Sequence, residues 1–466
     1  MVKKQIHVHI LAICGYATSG LALMAKDLGY RVTGSDEDAY PPNSTLLKQA
    51  GIKWESQHRP ENLTKYGRPD LVILGNQIRD GNPEILEAYK LGLKVISDSE
   101  FFYRLTANRR RIVVCGSHGK TTTSALISWI LEVAGRHPGF RLGTVVKNFK
   151  TSVRLGQGQE FVFEGDEYTT TFEDQRPKFF HFHPHLAIIN NIEWDHPDVF
   201  RTRRVYLSIF KKYLVSRMSK EDLLVVNSDD KNVTKVIKNA PCRVVTYGLK
   251  TGEYQAHQAK FGLRGVRFQV SKLGQKIGGF SLPLFGFHNV GNGLAAIATC
   301  LNLKVPVSKI KSGLKTFQGT SRRFEIMGTK RGITVIDDYA HHPTKARETI
   351  AGARLRYPKA RIFVVYVPHT FSRTKSLLKE YTTAFLGADF VIIPDIEPAR
   401  ERHLASLIHS RDLVSLISKK QRNVFYLPKI EEVVDFVTKR SHRGDVILCM
   451  SVRGFGKIAQ KILKTL

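Results

Sequence analysis

Short apolar runs alternate along this chain with stretches whose hydrophobic positions recur every three or four residues. HVHILAIC (7–14) reads as a strand, SGLALMAKDLGY (19–30) as a helix and RVTGSD (31–36) as a strand. PDLVILGN (69–76), NPEILEAYKLG (82–92) and KVISD (94–98) repeat that order. Strands separated by helical stretches of this length predict a parallel sheet with crossover helices. FVFEGDEY, LAIINNIEWDH and DLLVVNSDD supply strands further on, and GITVIDD, RIFVVYVP, ADFVIIPDI, NVFYLP and GDVILCMS do so after residue 325. Between 261 and 287 the pattern shortens to glycine-punctuated alternation, which predicts antiparallel hairpins on a sheet edge.

The most informative stretch is IVVCGSHGKTTT (112–123). An apolar strand runs into a Gly-bounded turn, then into Lys120, three threonines and the helical pattern SALISWILEVAG. Such a turn brings backbone N–H groups and the positive end of a helix dipole to one point, which suits phosphate oxygens. Gly116, Ser117, His118, Gly119, Lys120, Thr121 and Thr122 are the candidate nucleotide loop, with Lys120 on the β/γ-phosphates and a Thr hydroxyl on Mg²⁺. The first turn, Gly15 to Gly20, resembles a dinucleotide-type phosphate turn short of one glycine, and Asp36 ends the second strand where such folds place an acid on a ribose.

Composition narrows the class. The chain has 466 residues, enough for two to four domains, with 42% hydrophobic and 24% charged residues. No apolar run reaches the ~18–20 residues of a membrane span, so no membrane insertion is expected. The N-terminus runs into a strand without a cleavable apolar segment, and five scattered cysteines form no C-x-x-C pair. A reducing, cytoplasmic location is expected. The net charge of +31 is spread along the whole chain with no aromatic-interleaved basic stripe, which argues against a nucleic-acid partner and for anionic metabolites.

Polar clusters close three of the strands, open the helix near 288 and precede the last run of strands. They are Glu164-Gly-Asp166-Glu167, Asn190-Asn191-Ile-Glu-Trp-Asp195-His196, His288-Asn289 with Asn292, Arg322-Arg323-Phe-Glu325, and Asp337-Asp338-Tyr-Ala-His341-His342. Carboxylates, a His and an Arg beside a nucleotide loop are what Mg²⁺-assisted phosphoryl transfer uses. His181, His183 and His185 invite a metal reading, against which stand the lack of an obvious fourth ligand and the proline that breaks the segment.

GSHGKTTT, the E-x-D-E of Glu164–Glu167, NNIEWDH, G-x-HNVxN, FQGTSRRFE and DDYAHHP stand in the order of the signature series of the Mur ligases of peptidoglycan synthesis, and the chain resembles that family over essentially its whole length. His9, Gly15, Gly20 and Gly34-Ser35-Asp36 are similar to the members that use UDP-N-acetylmuramate. The resemblance implies an α/β protein of three domains. A Rossmann-like domain (1–107) would hold the UDP-sugar through His9, Gly15, Gly20, Ser35 and Asp36. A central P-loop ATPase-type domain (108–324) with a mostly parallel sheet would bind ATP, and a Rossmann-like domain (325–466) would bring the amine. Lys120 and Thr121 would meet the ATP phosphates and Mg²⁺, Glu164 and His196 the metals, and Asn289 and Asn292 the adenine, with Arg323 and Asp338 completing the site.

The resemblance implies amide formation through an acyl phosphate, with an amino acid or a peptide as the amine. AICGYATSGLALMAK, YPPNSTLLKQAGI, GNQIRDGNPEI, EGDEYTTTFEDQRPKFFHFHP and MSVRGFGKI are similar to the branch that recycles L-alanyl-γ-D-glutamyl-diaminopimelate tripeptide, which is the favoured reading. PHTFSRT and DIEPARE resemble the L-alanine branch, where His369 and Arg373 would meet the amino acid's carboxylate. That pattern has Arg where Thr370 stands, and a Gly is usual where Ala12 stands.

Overall fold

The computed structural model describes residues 5–39, 43–197, 199–399, 401–452 and 455–466. Tyr40 to Pro42 of the YPPNS stretch, Arg400 of DIEPARE, and Arg453 and Gly454 of the C-terminal tail lie outside the described residues. Three sheets carry the α/β architecture, and most strand pairs are parallel. The first sheet runs Lys53–Glu55, Arg31–Ser35, His7–Leu11, Leu71–Leu74, Val95–Ser97, parallel throughout. His7–Leu11 and Leu71–Leu74 are buried at every position, as strands covered on both faces require.

The chain divides into two compact units, 1–193 with 207–254 and 295–313, and 194–206 with 255–294 and 314–466. The first unit holds that sheet and the strand order Arg243–Gly248, Leu223–Asn227, Leu186–Ile189, Arg110–Cys115, Glu160–Glu164, Gly139–Val146, Thr151–Arg154. All of these pair in parallel except the last two, which are antiparallel. Gly139–Val146 and Thr151–Arg154 are strands that the sequence pattern did not reveal.

Residues on either side of 107/108 pack against one another within this unit. The 169–178 segment reaches back to the first sheet's helices and loops. Asn76 Nδ2 donates to the Thr169 carbonyl at 2.8 Å, Tyr89 OH to Glu173 Oε1 at 2.6 Å, and Lys178 Nζ to Asp98 Oδ2 at 2.8 Å. Phe172 packs on the core formed by Leu11, Val72, Leu74 and Ile85.

In the second unit, Gly265–Lys272 and Gln275–Leu282 form the antiparallel hairpin that the alternation predicts. Its larger sheet runs Glu325–Lys330, Ile333–Asp338, Val446–Met450, Ile362–Tyr366, Phe390–Ile393, Val424–Tyr426. Only the first pair is antiparallel. Apolar cores cover both faces of that sheet, one around Ile336, Val364 and Leu448 and the other around Val335, Val365 and Ile447. Side chains that alternate along each strand divide between the two cores.

Candidate active site

The strand Arg110–Cys115 delivers the chain to Gly116, and the helix Lys120–Val133 begins four residues later. Gly116 has φ +124° and Gly119 φ +79°, both in the region that disfavours a side chain. A Cβ on Gly116 would also sit 2.8 Å from the Asn191 carbonyl oxygen. That approach is used: the Ser117 N–H donates to the Asn191 carbonyl at 3.1 Å, and the His118 N–H to Asn191 Oδ1 at 2.8 Å. Ser117 Oγ donates to the Glu193 carbonyl at 2.7 Å, and His118 Nε2 lies 2.9 Å from Glu193 Oε2. The NNIE segment is therefore a mould for the loop, and the first-turn amides of the helix point out of its N-terminus, an arrangement that suits an anion.

Lys120 Nζ donates to Glu167 Oε2 at 2.6 Å and to the Gly116 carbonyl at 2.8 Å. Burial alone would lower its pKa, but the Glu167, Asp166 and Glu164 carboxylates outweigh that and hold it above the ordinary lysine value. Thr121 Oγ1 donates to Glu164 Oε1 at 2.8 Å, while Glu164 Oε2 accepts the Gly143 N–H at 2.8 Å. A hydroxyl and carboxylate oxygens are the hard donors that Mg²⁺ takes, so this set fits such an ion. Thr122 follows, half-buried, on the same first turn.

The UDP-sugar candidates take more internal roles. Buried His9 places Nε2 2.9 Å from Glu84 Oε2 and Nδ1 2.9 Å from Thr33 Oγ1. Ser35 Oγ donates to Glu84 Oε2 at 2.9 Å and lies 2.8 Å from His58 Nδ1. Burial would raise the Glu84 carboxyl, but His58 and His9 draw it down to about 2. Asp36 accepts the Cys14 N–H at 2.7 Å and thereby shapes the first turn. Ala12 adopts φ +56°, the left-handed conformation for which glycine is the usual residue. Gly15 stands in the turn, its N–H donating to the Ala12 carbonyl at 3.2 Å. Gly20, the other glycine expected at the UDP-sugar, has a packing role in this structure. It lies inside the helix Tyr16–Asp27, and a Cβ there would be 2.4 Å from Val153 Cγ2, so its missing side chain serves helix packing.

In the second unit, Asn289 Nδ2 donates to the Phe285 carbonyl at 2.8 Å and Asn292 Nδ2 to Asn289 Oδ1 at 3.1 Å, so the two buried amides form one linked pair. Asp338 Oδ2 accepts the Phe324 N–H and Oδ1 the Ala340 N–H, both at 2.7 Å. The neighbouring Arg323 guanidinium lies over the Tyr339 ring at 4.9 Å. Asp338 thus fixes the backbone on both sides of the Arg323–Tyr339 stack.

Arg373 is only 4% exposed. It donates through Nε to Asp195 Oδ1 at 2.8 Å and through Nη1 to the His369 carbonyl at 3.0 Å, and its Nη2 lies 3.2 Å from His196 Nδ1. Burial would raise the Asp195 carboxyl, but Arg373 holds it well below the usual carboxylate range. In this structure Arg373, the residue expected at a substrate carboxylate, is the counter-ion of Asp195, and His369 and His196 flank it. His196 belongs to this cluster, whereas Glu164 belongs to the first unit.

The three-histidine segment does not converge on one point. His181 Nε2 lies 2.9 Å from Asp174, His183 packs against the Tyr103 ring, and His185 Nδ1 accepts the Arg111 N–H at 3.2 Å. Glu167, Asn191, Asp195 and Glu84 are the site residues missed as individuals. All four stood inside stretches already singled out, Glu84 in GNQIRDGNPEI, where its place behind an Asn-Pro helix start was its one local mark.

Comparison with known proteins adds the family. Residues 7–110 match the Mur ligase family catalytic domain, 114–300 the Mur ligase middle domain and 322–453 the Mur ligase glutamate ligase domain. UDP-N-acetylmuramate–L-alanine ligase of Alkaliphilus metalliredigens is 36% identical over 461 residues, 98% of this chain and 97% of that protein. The enzyme of the same name from Acetivibrio thermocellus is 35% identical, covering 99% of this chain and 96% of its own. A solved murein peptide ligase from Psychrobacter arcticus superposes with TM-score 0.72 at 30% identity, over 98% of each chain. The alanine ligase MurC of Thermotoga maritima shares the fold, with TM-score 0.80 at 24% identity over 99% of each chain.

These relatives correct the preference for the tripeptide branch, which they do not favour over the L-alanine branch. Most of the stretches behind that preference lie before residue 185, outside the part expected to dock the amine. The chain belongs to the Mur ligase family and is an ATP-dependent ligase that forms amide bonds.

Proposed function

We propose that the chain joins the lactyl carboxylate of UDP-N-acetylmuramate to the amine of L-alanine. The observation that carries this reading is the placement of Lys120 between Glu167 and the Gly116 carbonyl, at the front of a helix whose next residue, Thr121, reaches Glu164. Full-length similarity to two L-alanine ligases supports the choice of substrates, as do the PHTFSRT and DIEPARE segments.

The chemistry follows from the leaving group. A carboxylate accepts an amine poorly because oxide or hydroxide would have to depart. Transfer of the γ-phosphoryl group of ATP to a carboxylate oxygen releases ADP and gives an acyl phosphate. The amine then attacks the acyl carbon, phosphate leaves with the electrons of the C–O bond, and the nitrogen sheds a proton. Lys120 and the first-turn amides would stabilise charge on the transferring group. Thr121 and Glu164 would hold Mg²⁺, whose charge neutralises the phosphate oxygens when it is bound.

The test is phosphate release from ATP measured with UDP-N-acetylmuramate and, in competition, L-alanine and the L-alanyl-γ-D-glutamyl-diaminopimelate tripeptide. Release that requires the sugar and follows L-alanine is expected. Exclusive use of the tripeptide would overturn the amine assignment and agree with the murein peptide ligase likeness, and release indifferent to the sugar would overturn the reading altogether.

A further inference from the structure

Seven ionisable side chains are gathered inside the first unit. Asp98, Lys120, Arg141, Glu164, Asp166, Glu167 and Lys178 are each 9% exposed or less. Four carboxylates face three cations, and Arg141 stands at the middle of them. Its Nη1 donates to Asp166 Oδ2 at 3.2 Å and to the Glu164 backbone carbonyl at 3.2 Å. On its other side it acts electrostatically on Asp98, which Lys178 contacts at 2.8 Å, and its guanidinium lies over the Phe102 ring at 5.9 Å. Tyr168 OH completes the Asp166 carboxylate at 2.9 Å.

An arginine here is not the simplest way to fill the space. The strand Gly139–Val146 is buried at this point, with Phe140 and Leu142 on either side, and Arg141 Nε is buried with no hydrogen-bond partner among the described residues. A buried ion pair adds less stability than an apolar residue of similar volume. What the arginine does supply is geometry. Two of its contacts fall on one short turn, Glu164 to Asp166, and that turn presents Glu164 to Thr121 and Glu167 to Lys120. Both bonds leave one nitrogen, Nη1, whose two N–H groups lie fixed in the guanidinium plane, whereas a lysine ammonium rotates freely about its stem.

We propose that Arg141 is a positioning residue of the nucleotide site, holding the Glu164–Glu167 turn so that Thr121 and Lys120 keep their carboxylate partners. The proposal rests on the reading of the Gly116–Thr122 loop as the ATP site. Without the arginine, Asp166 loses its buried counter-charge and repels Glu164 and Glu167, so the turn opens away from the loop.

Two variants test it, Arg141→Lys, which keeps the charge, and Arg141→Met combined with Asp98→Asn, which removes one charge of each sign. Calorimetric ATP titration with and without Mg²⁺ is read beside the melting midpoint and the KM values for ATP and UDP-N-acetylmuramate. The expected result is folded protein whose ATP affinity in Mg²⁺ falls by on the order of 10-fold, with the sugar KM within about twofold of wild type and Arg141→Lys the milder change. ATP affinity unchanged in either folded variant would overturn the proposal. So would equal losses for ATP and sugar, or failure of both variants to fold, since each marks Arg141 as a stability residue. Wild-type protein that binds no ATP would instead bring down the functional reading on which the proposal stands.

Discussion

Lys120 and Glu167 form an ion pair at 2.6 Å in which both side chains are almost wholly buried. The pairing aims the lysine across the mouth of its own loop, where the Gly116 carbonyl accepts a second hydrogen bond from Nζ at 2.8 Å. A loop lysine held this way is already oriented when charge develops on a transferring phosphoryl group.

Lys120→Met is therefore expected to lower kcat/KM for ATP by on the order of 10²–10³-fold. It also leaves Glu167 buried without its cation, so the melting midpoint should fall. Sugar-dependent phosphate release and a thermal melt measure the two effects. Retention of a large share of wild-type turnover would remove Lys120 from the mechanism.

The Glu84 cluster predicts a pH dependence of stability. Glu84 titrates at about 2 in the fold, against about 4.3 for a free Glu, so its contribution is present above that value and is lost as pH falls toward 2. Burial lowers the His58 pKa, but Glu84 raises it more, so its contribution is complete below about 6.5 and is lost as pH rises through the raised folded value. His7, lowered by burial, has the opposite slope and stays in the Glu84→Gln protein. Urea unfolding of wild type and Glu84→Gln from pH 3 to 8 should show a stability difference largest between these limits and shrinking on both sides. A pH-independent difference would contradict the linkage.

Gly20→Ala should destabilise the fold by about 1–3 kcal/mol through overpacking. The added Cβ meets Val153 Cγ2, Cβ and Cγ1 at 2.4, 2.5 and 2.9 Å. Val153→Ala removes two of those three atoms and should recover only part of the loss. A Gly20→Ala protein that melts like wild type would show that the helix shifts at no cost.

Asp338→Asn replaces one of two backbone acceptors by an N–H donor that faces another donor. The expected loss is about 1–3 kcal/mol, with faster amide exchange at Phe324 and Ala340 and a reduced kcat for phosphate release. Exchange rates measured by NMR or mass spectrometry check the first part. Unchanged protection at Phe324 would separate Asp338 from the Arg323 loop.

The strand and helix succession was legible because its signals are local. Apolar runs, helical spacing and a Gly-bounded turn each sit within about a dozen residues. The Gly-bounded turn before Lys120 was legible for the same reason, and Gly116 and Gly119 take the positive φ values such a turn needs. Gly139–Val146 was less so, since its buried Arg141 interrupts the apolar pattern that marks a central strand. The packing role of Gly20 was not legible, because a glycine spacing in a first turn does not distinguish close approach to a phosphate from close approach to Val153.

From the chain alone came the α/β class, the family likeness and the loop that begins at Gly116, each written in short windows of residues. Only the folded molecule decided the partnerships. Thr121 and Glu164 stand 43 residues apart, Lys120 and Glu167 47, His9 and Glu84 75, and Asp195 and Arg373 178. Strand order in the sheets brings such distant positions together, and strand order depends on packing that no local window contains.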